Sequence, residues 1–183
     1  MKKLIAILMA AVMVFAFAAC SKTPVTNEED STAEAVVDNS AEETSEAAPA
    51  AGSVAQTLAA EFKALAATET DAQKIADALV TSDAISAIGA ATMPVEAGFL
   101  TGFDNAEITG FDTGIMFAPM IGTIPFVGYV FTLADGTDAD AFIKTLEDNA
   151  NLRWNICTMA DEMVAVAEGN TVMFVMAPMS FEA

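Results

Sequence analysis

From Val54 onward, the spacing of apolar positions separates helices from strands. Val54, Leu58, Phe62 and Leu65 recur close to helical spacing on an alanine-rich background and predict a first helix. Thr70-Asp71-Ala72-Gln73 matches a capping box, and Ala72, Ile75, Ala76 and Leu79 behind it share one helical face. Ser82 is placed to cap a short continuation through Ile85 and Ile88, before Gly89. Pro94 to Thr109 has no period and reads as irregular, with Phe99, Leu100 and Phe103 as anchors. Thr113–Ala118 and Phe126–Leu133 are apolar, aromatic and β-branched, and predict two strands. A third helix follows, with Thr137 as N-cap, Asp138 and Asp140 in its first turn, and Ala139, Phe142, Ile143, Leu146 and Ala150 on one face. Glu162–Ala167 and Thr171–Met176 predict a last pair of strands, turning at Glu168-Gly169-Asn170.

This order, α-α-β-β-α-β-β, argues for an α+β domain: a mostly antiparallel sheet covered by helices on one face, with a ferredoxin-like or related split arrangement. The folded part, Val54–Ala183, has an ordinary size for one domain.

The N-terminal 53 residues follow a different logic. Met1-Lys2-Lys3 precedes an uncharged run from Leu4 to Ala19, the pattern of a secretory signal. As a helix that run would reach about 24 Å, short of the roughly 30 Å hydrocarbon core. Phe17-Ala18-Ala19-Cys20 resembles the bacterial lipobox, although Phe17 stands where leucine is commoner. The resemblance implies cleavage after residue 19 and lipidation of Cys20, with two acyl chains holding the protein firmly. From residue 20 to 53 the chain carries eight acidic residues, one lysine and no aromatic, the composition of a disordered acidic spacer. The expected destination is the cell membrane, lipid-anchored and facing outside the cytoplasm. Ser21 permits sorting to an outer membrane where one exists.

Charge and composition narrow the chemistry. Removal of residues 1–19 leaves five basic against 26 acidic residues, a net charge of −21. Such a field repels nucleic acid and anionic lipid headgroups, and it favours cationic partners or metal ions. The chain has no histidine, which excludes Ser-His-Asp and Cys-His catalysis and imidazole-based zinc sites. Once Cys20 is lipidated, Cys157 has no partner for an intramolecular disulfide and is expected to be buried and inert.

Thr113–Ala134 holds no charge over 22 residues. Its prolines and glycines oppose a membrane helix, so a buried hairpin is expected. Its loop supplies the best interaction candidates, Met120, Ile121, Ile124 and Phe126, facing a protein partner or the membrane. A weaker candidate is Arg153 with Trp154, the single Arg beside the single Trp. They suit an anionic ligand, against the plainer view of an arginine neutralising carboxylates and a half-buried tryptophan. The methionines suit core filling better than copper, since Met173 and Met176 of one strand point to opposite faces. Asp135, Asp138 and Asp140 lack EF-hand spacing and fit a helix start. No cofactor or metal is expected.

The stretches IPFVGYVFTLADGTDADAFIKTL and RWNICTMADEMVAVAEGNTVMFVM, within residues 124–176, resemble uncharacterised small lipoproteins of Gram-positive type. The resemblance implies a lipobox, an acidic spacer and a short α+β domain, and brings no catalytic residues. Two function classes follow: a non-enzymatic binding or interaction module at the membrane, engaging an envelope protein or a cationic ligand, or a carboxylate-dependent hydrolase. A metal- or solute-binding lipoprotein is a variant. Two convergent carboxylates in a deep pocket would favour the hydrolase.

Overall fold

The structure, a computed structural model, describes residues 52–181; the signal segment, Cys20 and most of the spacer lie outside them. Helices α1 (Val54–Ala66) and α2 (Ala72–Leu79) and a 3-10 turn (Ser86–Ile88) precede strand β1 (Ala90–Val95). A two-stranded ribbon of β2 (Gly98–Phe99) and β3 (Glu107–Ile108) leads into β4 (Phe111–Pro119) and β5 (Val127–Leu133). Helix α3 (Ala139–Asn149) then returns the chain to the hairpin β6 (Glu162–Glu168) and β7 (Thr171–Ala177). The main sheet has the order β1-β4-β5-β7-β6, with every neighbouring pair antiparallel. The fold is α+β, as the order of elements predicts.

β5 and β6 are parallel to one another with β7 between them, so β5-α3-β6 forms a split β-α-β unit. The uncharged segment from Thr113 to Ala134 is the β4–β5 hairpin, its strands largely buried as expected and its loop exposed at Met120 and Ile121. The β6–β7 hairpin turns through Gly169 at φ +58, a conformation that glycine adopts without strain.

The helices cover both faces of the sheet, a correction to the expected single face. The reason lies in β5 and β7, VGYVFTL and TVMFVMA, which are apolar at odd and even positions alike. Successive side chains alternate between faces, so both faces must be shielded. On one face Ile115, Phe117, Val130, Met173 and Val175 join Leu58, Phe62, Ile75 and Leu79 of α1 and α2. On the other, Tyr129, Phe131, Val172, Phe174 and Met176 join Phe142 and Leu146 of α3. Met173 and Met176 thus lie in different cores, as strand alternation requires.

Local details also depart from expectation. Asp71 rather than Thr70 caps α2, accepting from the Gln73 and Lys74 amides. Asp138 rather than Thr137 caps α3, accepting from the Ala141 amide at 2.8 Å. In each case aspartate follows threonine, and aspartate is the stronger N-cap. The start of the expected irregular stretch is strand β1, at the sheet edge, where Pro94 is tolerated. Phe99 is 68% exposed and anchors nothing, whereas Phe103 is fully buried and Leu100 packs partly against the second core.

Two close fits inside the sheet give tests. The Phe117 ring occupies the space that a Cβ on its cross-strand partner Gly128 would need. Gly128→Ala is expected to cost about 1–3 kcal/mol in urea unfolding. That penalty should shrink in a Phe117→Leu background, because the two positions share one volume.

The chain's single tyrosine, Tyr129, is fully buried and donates a hydrogen bond to the Thr101 carbonyl at 2.9 Å. Burial raises its pKa well above the ordinary phenol value near 10. The folded-state pKa exceeds the unfolded one, so this contribution to stability is complete below about pH 10 and is lost as the pH rises further. In an alkaline titration, tyrosinate absorbance should stay silent above pH 10 and appear only with unfolding followed by circular dichroism. Tyr129→Phe should flatten the alkaline decline in stability.

Candidate functional site

The ends of four strands meet at one pole of the domain. The β4–β5 loop, the α3–β6 segment and the residues after β7 all emerge there, because Val127 pairs with Met176 and Glu162 with Ala177. The loop and the segment are tied together. Asn155 Nδ2 donates to the Gly122 carbonyl at 2.6 Å, and Thr158 Oγ1 donates to the Thr123 carbonyl at 3.1 Å. Behind them, Asn151 accepts from the Arg153 amide at 2.8 Å, and its own amide donates to the Gly102 carbonyl at 2.8 Å. Side chains on this platform are therefore held by the backbone beneath them.

The platform exposes apolar groups: Ile156 at 99%, Met120 at 76% and Ile121 at 67%, with Met159 also exposed. Ile124 is half-buried against the first core. Phe126 is buried, its ring 5.8 Å from that of Phe117 and 6.0 Å from that of Phe181, so it leaves the candidate surface and serves as its footing. Cys157 is exposed, a correction to the expected buried thiol. It lies between the tethering residues Asn155 and Thr158, which leave Ile156 and Cys157 facing outward. A depression of about 200 Å³ is lined by Arg153, Asn155, Cys157 and Met159 among others.

The two sequence candidates, the Met120–Phe126 loop and the Arg153-Trp154 pair, thus share one pole. Trp154 is half-buried against the second core. Arg153 is exposed and forms no ion pair among the described residues. The ion pairs found there join Lys74 to Glu69 and Lys144 to Asp148. Ile156 is not singled out by the sequence, and Met159, expected there to fill the core like the other methionines, is instead exposed. Their one signal is apolar residues in a segment with neither helical nor strand period.

The opposite pole is acidic. Asp135, Asp138 and Glu168 lie there, beside a cavity of about 490 Å³ lined by Ala66, Thr70, Thr132, Glu168 and Asn170 among others. Glu168 is its one carboxylate, so the converging pair that a carboxylate hydrolase requires is not assembled there. Among the described residues, no group of three His, Cys, Asp or Glu side chains is arranged to hold a metal ion. No family model, curated protein or solved structure matches the chain.

The tie between loops is testable. Asn155→Ala combined with Thr158→Val should accelerate amide hydrogen exchange in residues 120–124 and 153–159. Each lost bond should cost about 1 kcal/mol or less at these exposed positions, leaving β5 and β7 protected.

Proposed function

We propose that the chain is a membrane-anchored extracytoplasmic lipoprotein, lipidated on Cys20, whose domain is a non-enzymatic interaction module. The observation that carries the module reading is the exposed apolar platform of Met120, Ile121, Ile156 and Met159, held by hydrogen bonds between two segments distant in sequence. Large apolar side chains gathered on a fixed surface mark an interaction site more often than chance exposure does. The anchor rests on the lipobox resemblance at residues 17–20 and on the acidic spacer behind it. Among the described residues, no helix is long and apolar enough to cross a membrane. A net charge of −21 disfavours nucleic acid as a partner.

Both halves are tested in cells with one set of variants. Cys20→Ala should move the protein from the membrane fraction to the soluble one; membrane retention would refute the lipid anchor. In the lipidated protein, a photo-crosslinking residue at Ile121 should capture a neighbour, and the same residue at Asp140 should not. Equal capture at both positions would refute the platform as the working surface. Substituting side chains this exposed should change stability by no more than about 0.5 kcal/mol, so misfolding would not mimic the result.

A further inference from the structure

The chain enters the domain at the apolar pole. The Val54 amide, first in α1, donates to the Met179 carbonyl at 3.2 Å, and the Ala55 amide donates to Glu162 Oε1 at 3.3 Å. Met179 follows β7 and Glu162 opens β6, so both contacts lie at the strand ends that carry the platform. Ser53 and the first turn of α1 therefore lie at the same pole as Met120, Ile121 and Ile156, and α1 runs from there toward the acidic pole.

Charge is divided along the same axis. The β4–β5 loop, residues 120–126, and the segment 149–160 contain no carboxylate and a single cation, Arg153. Of the acids at this pole, Asp161 accepts from the Met179 amide and Asp104 from the Asn151 side chain, while Asp83 is exposed in the turn before β1. Asp135, Asp138 and Glu168 stand at the far pole. In so acidic a protein, these two loops can approach a negatively charged bilayer with no carboxylate of their own, and Asp83 stands on the neighbouring turn.

From this juxtaposition we infer that the platform docks on the bilayer to which the chain is anchored, with Ile156, Ile121 and Met120 entering the interface and Arg153 at headgroup level. The inference rests on the proposed lipid anchor. Cys20 lies 33 residues before Ser53, a separation that no conformation can stretch beyond roughly 115 Å. Docking is then intramolecular, and a modest apolar contact suffices to hold it. Side chains of this kind seat at the boundary between headgroups and acyl chains, where arginine keeps its charge in water while its stem is buried.

Cys157 supplies a probe in place, since lipidation occupies the sulfur of Cys20. The mature lipoprotein is reconstituted in phosphatidylcholine vesicles containing some phosphatidylglycerol, and Cys157 carries an environment-sensitive fluorophore. Nitroxide lipids labelled near the headgroup should quench it about threefold more strongly than the same label on Glu168→Cys in a Cys157→Ser background. Ile121→Asp with Ile156→Asp should reduce quenching at Cys157 to the Glu168→Cys level while the protein still floats with the vesicles. Equal quenching at both poles in floating protein overturns the docking and leaves the anchor standing. Protein that does not float overturns the anchor, and the docking with it. Shielding of Cys157 in intact cells but not in vesicles overturns the docking in favour of a protein partner.

Discussion

Strands β5 and β7 are apolar on both of their faces, and the rest of the domain is arranged to keep both faces dry. A sheet with one polar face can leave it in water; this one cannot, since Tyr129, Phe131 and Phe174 face one way and Val130, Met173 and Val175 the other. Two helices from the start of the chain cover one side, and the α3 crossover covers the second. That crossover has to be long enough to carry a helix, and a split β-α-β unit follows from it. The segment that brings the chain back from α3 to β6 then passes the β4–β5 loop, and the platform is formed where they meet. The exposed apolar platform is in this sense a by-product of how the two-sided sheet is covered.

Polar groups refine that arrangement without supplying much of its stability. The ion pairs described are exposed and contribute little. The hydrogen bonds that matter join segments far apart in sequence, such as Asn155 to Gly122, and their value is geometric. They fix how two loops present their side chains, at a net contribution of about 1 kcal/mol each. The loops need this help because neither has regular secondary structure to hold it.

What could be read beforehand follows the same division. Helices α1 to α3 and strands β4 to β7 were legible because their apolar positions repeat at a fixed period and are bounded by capping and turn residues. β1 was hidden by Pro94 and its alanines, which argue against a strand unless the strand is known to lie at an edge. The number of covered faces was present in the unbroken apolar runs of β5 and β7, yet it takes the strand order to show that both are central. The absence of charge around Met120 and Ile121 flagged half of the platform. The other half, Ile156 and Met159, is joined to it only by contacts between residues more than thirty positions apart, which no local pattern announces. Phe126 shows the converse, since an apolar loop residue is footing or surface depending on which core it can reach.

The buried carboxylate of Glu162 connects these themes. Its Oε1 accepts from an amide in the first turn of α1, while Oε2 is buried with no hydrogen-bond partner among the described residues. Burying such a group costs free energy, and an apolar residue at the start of β6 would avoid the cost. The positive end of the α1 dipole offsets part of it. The position also gains something that an apolar residue would not give. The side chain binds the first turn of α1 to the edge strand β6, as the Val54 amide binds it to the chain beyond β7. The start of α1 is thereby fixed relative to the platform. For the tethered module proposed above, that placement would decide which surface faces the anchor, so an imperfectly satisfied group at this position is better understood as setting orientation than as adding stability.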